Sequence, residues 1–295
     1  MGHLFMPEVR IEEGTVSFRG WKTWFRITGD IDVRPPLMCV HGGPGSTHHY
    51  FTPLEELARS GRAVVVYDQV GCGGSSRPPI DELSLAVFVD ELANIHDRLG
   101  LERTHVLGTS WGGMVALEHA LTRPSSLQSL ILSSTLACAR SWAREAARLR
   151  DAMPEDLRQA LSDPGDPAYE RADAVFFERH VCRLGITPEI ERMMEEKGTY
   201  VYEGLWGPNE WTLTEQLARW DVRERLSDIG GPVLITAGRH DLCTQAILAE
   251  LQRGLPRAET VLFDDSAHMP YLEQPNDYRT SLHAFLERAD AKQRT

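Results

Sequence analysis

The nine residues "HVLGTSWGG" (105–113) constrain the fold more than any other stretch of the chain. They hold a G-x-S-x-G run, Gly108-Thr109-Ser110-Trp111-Gly112, between a short apolar run and the helical pattern "WGGMVALEHALTRP" (111–124). A serine at so sharp a strand-to-helix turn stands clear of its sheet at the N-terminus of a helix. Unpaired backbone N–H groups there can stabilise an oxyanion. Such an elbow requires a sheet with a helix following the strand, so the rest of the chain must supply that frame.

The frame is legible. "PLMCV" (36–40), "AVVVYDQ" (63–69), "LQSLILSST" (127–135), "PVLITAG" (232–238) and "ETVLFDD" (259–265) are short, nearly continuous apolar runs. Runs of that kind suit strands covered on both faces. Between them lie helical patterns. In "ELSLAVFVDELANIHDRLG" (82–100), Leu85, Phe88, Val89, Leu92, Ile95 and Leu99 keep helical spacing and Gly100 supplies the stop. "GTVSFRG" and "WKTWFRITG" (14–29) read as a hairpin. The alternation predicts an α/β fold with a mostly parallel, doubly wound sheet.

From about 136 to 226 the rhythm changes. "SWAREAARLRDAMPEDLRQALS" and "PEIERMMEEKG" are helical, with no strand-like run between. We expect three segments: core over 1–135, a helical cap over 136–226, and core again over 227–295. A substrate-covering lid is favoured over a purely structural excursion, because the insertion separates the catalytic candidates.

A serine hydroxyl needs a base. In sheets of this kind the chain order is Ser, acid, His. "TAGRHDLC" offers Asp241 after one strand, and "FDDSAHMPYLEQP" offers His268 after the next. Ser110, Asp241 and His268 are the expected triad. His240 is a rival base, but it immediately precedes the acid. Asp264 and Asp265 are rival acids, but they stand too close to His268 in the chain. "VHGGPGSTHHY" (40–50) is a Gly-rich loop after the first core strand. The N–H of Gly43, with that of Trp111, is the expected oxyanion hole. "YDQVGCGGSSRP" (67–78) lacks nucleotide-loop spacing and reads as a structural turn.

Composition narrows the partners. The net charge is −12, which argues against nucleic acid. The five cysteines (39, 72, 138, 182 and 243) are scattered without CxxC spacing, so neither a disulfide framework nor a zinc site is expected, and a reducing compartment fits. His48-His49 has no Cys or carboxylate cluster beside it, and no metal or other cofactor is expected. "MGHLFMPEVR" has no long apolar h-region and fails the myristoylation pattern, and no stretch approaches a membrane span. The chain reads as cytoplasmic, with no membrane partner. Its oligomeric state has no signature in the sequence.

One stretch remains. In "GLWGPNEWT" (204–212), Glu210 stands between Trp206 and Trp211. A carboxylate among indoles loses hydration and needs a partner, either a substrate cation or an arginine of the cap.

Together "HGGPG", "DQVGCGGSSRP", "GTSWGG", "GPNE" and "SAHMPYLEQP" resemble the proline iminopeptidase group of α/β-hydrolases, over about residues 14 to 285. The resemblance implies serine-dependent removal of an N-terminal amino acid without a metal, beneath a helical cap. It implies that Glu210, in "GPNE", holds the α-ammonium group of the substrate. This chain departs from the pattern in two places. Leu242 stands where a second glutamate often follows the catalytic acid, and Thr109 stands where many members have Gly. The leaving group is therefore open: a short peptide, or a hydrophobic small molecule in amide linkage. Two other readings stay open on the residues: a carboxylesterase or amidase without need of an amine, and a non-catalytic binder of a small ligand.

Overall fold

The computed structural model describes residues 9–292; most of the N-terminal stretch read above for targeting signals, residues 1–8, lies outside them. The chain opens with an antiparallel hairpin, β1 (Ile11–Phe18) and β2 (Trp21–Thr28). Arg19 and Gly20 both take positive φ, the twist that lets a two-residue turn follow the strands. Then come β3 (Leu37–Val40), the short α1 (Thr52–Glu55), β4 (Val64–Asp68), α2 (Leu85–Arg98), β5 (Thr104–Thr109), α3 (Trp111–Leu121) and β6 (Leu127–Ser133). After β6 the chain leaves the sheet for α4 (Ala139–Asp151), α5 (Glu155–Ala160), α6 (Tyr169–His180), α7 (Pro188–Glu196) and α8 (Thr199–Leu205). It returns with β7 (Val233–Gly238), α9 (Gln245–Gly254), β8 (Glu259–Phe263), α10 (Pro270–Glu273) and α11 (Pro275–Lys292).

The eight strands form one sheet in the order β1-β2-β4-β3-β5-β6-β7-β8. All pairings from β4 to β8 are parallel. The apolar runs divide between its two faces with the period of two that strands impose. Met38 and Val40 join the core beneath α2 and α3, while Leu37 and Cys39 join the one beneath α11. This is why these strands lack hydrophobic–polar alternation: both faces are covered. In α2 the apolar stripe buries Phe88, Leu92 and Ile95, and Gly100, at φ 65°, follows its C-terminus.

Parallel pairing has one consequence for function. Val40 lies beside Gly108, Gly108 beside Leu132, Ser133 beside Thr236, and Gly238 beside Phe263. The C-terminal ends of β3, β5, β7 and β8 therefore share one edge, and the loops that leave them meet there. Among the described residues no helix is long and apolar enough to cross a membrane.

Candidate active site

Ser110 sits between β5 and α3 with φ 53° and ψ −122°, a conformation sterically disfavoured for a residue with a side chain. Its neighbours explain how the turn is held. A methyl group at Gly108 would lie 2.3 Å from the Gly112 carbonyl oxygen, and one at Gly112 would lie 2.1 Å from that of Val40. Only glycine fits at either place, so the spacing of the motif is a record of backbone approaching backbone.

The loop after β3 reaches the serine directly. A methyl at Gly42 would stand 3.1 Å from Ser110 Cβ. Gly43 takes φ 107°, and a side chain there would meet the Gly45 and Ser46 nitrogens at 2.7 Å. The Gly42 N–H donates to the Tyr50 hydroxyl at 2.5 Å. The N–H groups of Gly43 and Trp111 have no acceptor among the described residues, which leaves both able to donate to a ligand beside Ser110.

Asp241 and His268 are brought together from the loops after β7 and β8. Nδ1 of His268 donates to Asp241 Oδ1 across 2.7 Å, and both side chains are almost fully buried. The Asp241 carboxylate is itself held by the N–H groups of Cys243 at 2.8 Å and Gly238 at 3.4 Å. Burial opposes an imidazolium at His268, but Asp241 outweighs it, aided by the charges of Glu210 and Glu273, so the His268 pKa lies above its ordinary value. Ser110 and His268 line the same cavity; no hydrogen bond joins Oγ to the imidazole. Such bonds commonly tighten only when a substrate is seated. The rivals are placed elsewhere: Asp264 pairs with Arg239 on the surface, and Asp265 and His240 do not line the cavity.

The cavity measures about 410 Å³. Its floor is the sheet edge with Ser110 and His268, and its roof comes from α6, α7, α8 and the turn after α8. Phe176, Phe177, Met193 and Met194 make the roof largely apolar. The insertion is locked to the loop after β3: the Gly198 N–H donates to the Gly45 carbonyl at 2.7 Å. A methyl at Gly45 would lie 2.5 Å from the Gly198 oxygen.

Glu210 lies in that roof. Its Oε1 accepts from the Tyr202 hydroxyl at 2.8 Å and its Oε2 from Trp142 Nε1 at 2.9 Å. No lysine, arginine or histidine among the described residues forms an ion pair with it. The nearby Arg150 packs over the Trp211 ring and pairs with Asp151. Of the three indoles, it is Trp142 that touches the carboxylate. Trp206 stands edge-on to Trp142, and Trp211 packs on Phe176. Trp142 lies 68 residues before Glu210, so nothing local in the sequence pairs them.

Other residues the sequence left unassigned also shape the site. The Glu273 carboxylate accepts from the N–H groups of Ala267 and Met269 and so braces the loop that carries His268. Its place five residues after the histidine was the available signal. Leu242 is buried and does not line the cavity. Cys72 and Cys243 are fully buried, and burial pushes both thiols well above their ordinary pKa, away from the thiolate form. His48 bonds Asp68, and His49 bonds Glu196. Among the described residues no group of three or more His, Cys, Asp or Glu side chains is placed to hold a metal ion.

Comparison with known proteins identifies the family. Residues 35–275 match the family model of the alpha/beta hydrolase fold. A proline iminopeptidase of Lactobacillus delbrueckii subsp. lactis is 39% identical over 293 residues, 94% of this chain and 99% of the relative. One of Clostridium botulinum is 36% identical, with 96% and 100% covered. Among solved structures, VinJ aligns with a TM-score of 0.90 at 34% identity, covering 94% of this chain and 99% of the other. The proline iminopeptidase of Mycobacterium smegmatis aligns at 0.89 and 36% identity, with 96% and 100% covered. The chain is a hydrolytic enzyme and belongs to the proline iminopeptidase family of α/β-hydrolases.

Proposed function

We propose that this protein removes the N-terminal amino acid from a short peptide or another aminoacyl amide that carries a free α-amino group. Ser110 is the nucleophile. His268 Nε2 takes the hydroxyl proton as Oγ attacks the carbonyl carbon. Asp241 holds the imidazole with its proton on Nδ1 and stabilises the imidazolium that forms. The oxyanion of the tetrahedral intermediate accepts from the N–H groups of Gly43 and Trp111. As the intermediate collapses, His268 gives its proton to the leaving amine. Water, deprotonated by His268 in turn, attacks the acyl-enzyme and releases the amino acid. The helical segment 136–226 acts as a cap that excludes water from these steps.

The observation that carries the free-amine requirement is the setting of Glu210. Among the described residues its two oxygens are bonded by neutral donors alone, in the roof of the cavity that holds Ser110. A half-buried carboxylate so placed has its remaining acceptor capacity free for a cation, and an α-ammonium group supplies one. Asp173 and Glu203 line the same cavity against the single Lys197, so its charge also suits a cationic substrate end.

The test compares an aminoacyl anilide with its N-acetylated form, alongside fluorophosphonate labelling of wild type and Ser110→Ala. We expect turnover of the free amine only, and labelling that vanishes in the variant. Equal turnover of both anilides would replace the aminopeptidase reading with that of an amidase or esterase. A folded wild type that takes no label would favour a ligand binder.

A further inference from the structure

The loop "YDQVGCGGSSRP" reads in the sequence as a turn, yet its Gln69 lies at the centre of a buried network behind the site. Gln69, His41 and Trp111 are all essentially inaccessible to solvent. Trp111 Nε1 can only donate, and it donates to Gln69 Oε1 across 3.1 Å. That fixes the amide's orientation: its Nε2 faces the His41 carbonyl and donates to it at 2.7 Å. The backbone N–H of Gln69 donates to His41 Nε2 at 2.9 Å. A ring nitrogen that accepts carries no proton, so the proton of the neutral imidazole is on Nδ1. From there it donates to the Gly42 carbonyl at 2.9 Å. Burial keeps the ring neutral, lowering its pKa to about 4.

The carbonyl and the N–H of one trans peptide point in opposite directions. Holding the Gly42 carbonyl therefore aims the N–H of Gly43. Holding the Trp111 indole fixes the residue that presents the second N–H. We propose that Gln69 is a positioning residue that ties the two halves of the oxyanion hole together, through His41 on one side and the Trp111 indole on the other. The proposal rests on reading Gly43 and Trp111 as that hole.

Gln69→Met keeps the length of the side chain and removes both polar ends. Trp111→Phe cuts one of the bonds and keeps the backbone N–H. For each variant we would measure kcat and KM on a free-amine anilide and on a neutral ester, the rate of inactivation by a fluorophosphonate, and the melting temperature. Misplacing reacting groups by about an ångström is worth roughly a hundredfold. For Gln69→Met we expect kcat and the inactivation rate to fall by roughly tenfold to a hundredfold, equally on both substrates, with KM little changed. Trp111→Phe should show the same pattern with a smaller loss. If Gln69→Met does not fold, Trp111→Phe decides by the same rates. Unchanged rates in a folded variant, a rise in KM alone, or a loss confined to the amine substrate would overturn the proposal. A wild type that takes no label would remove the nucleophile reading and this proposal with it. A labelled wild type beside an equally fast folded Gln69→Met would overturn this proposal alone.

Discussion

The two sides of the cavity are built by different rules. At the sheet edge, backbone meets backbone: Gly108, Gly112 and Gly43 leave no room for a Cβ, and Ser110 is held in a conformation that isolated residues avoid. In the helical insertion backbone also approaches backbone, at Gly198 and Gly207, but the Glu210 carboxylate is oriented by side chains, a tyrosine from α8 and a tryptophan from α4. The edge is specified by sterics, which tolerate nothing larger. The setting of the Glu210 carboxylate is specified by side-chain hydrogen bonds and apolar contact, which admit other solutions. In the proposed function, chemistry that must be placed to a fraction of an ångström falls on the rigid side, and recognition of one end of a substrate on the adaptable side.

Glycine substitutions should separate the two sides most clearly. Gly112→Ala would drive a methyl to 2.1 Å from the Val40 oxygen, and Gly204→Ala, in α8, would drive one to 2.3 Å from Ile80 Cγ1. The distances are alike but the neighbours are not. Val40 is fixed in the central sheet, whereas Ile80 is a half-buried side chain that can turn aside. We expect Gly112→Ala to destabilise the fold by about 3 kcal/mol and to abolish activity. We expect Gly204→Ala to change stability by less than about 1 kcal/mol, because alanine's helix propensity offsets the crowding. Urea unfolding and turnover of both variants check this, and equal losses would erase the distinction between the two sides.

Glu210→Gln should act chiefly on the roof. The amide keeps the shape and loses the charge. A charge-assisted bond contributes about 1.5–3 kcal/mol, so kcat/KM on a free-amine anilide should fall by roughly tenfold to a hundredfold. Turnover of a neutral ester should hardly change, since the sheet edge is untouched. A comparable fall on the ester would mean that the roof shapes the catalytic edge as well.

The smallest effect crosses between the sides. His268 must be neutral to accept the serine proton, so activity rises with pH through its pKa. Asp241 and, more remotely, Glu210 raise that pKa against the effect of burial. Removing the Glu210 charge should lower it. The acid limb of the kcat/KM profile on a neutral ester should then move to lower pH in Glu210→Gln. A limb that stays in place or moves upward would show that the two carboxylates are electrostatically independent.

How much was legible follows the same division. Ser110, Asp241 and His268 could be named because each follows a strand-like run, and parallel strands bring their C-terminal ends to one edge whatever lies between. Gly43 and Trp111 were named for the same reason. Glu210 could be singled out but not explained, because its partner Trp142 belongs to another helix of the insertion. Gln69 and His41 stand in Gly-rich loops, and nothing in the sequence around them assigns a role to either. Their meaning lies in bonds between loops that follow different strands, β3 and β4, and those loops meet only because the sheet places the two strands side by side.

The sheet, the elbow and the order of the catalytic candidates are thus readable along the chain. Local sterics and the hydrophobic period act over a few residues and leave a readable trace. Folding settles which indole holds the roof carboxylate, that no arginine among the described residues neutralises it, and that one buried amide spans the two N–H donors behind the serine. These depend on distances between segments far apart in the chain, and such distances exist only after the two faces of the sheet have been covered.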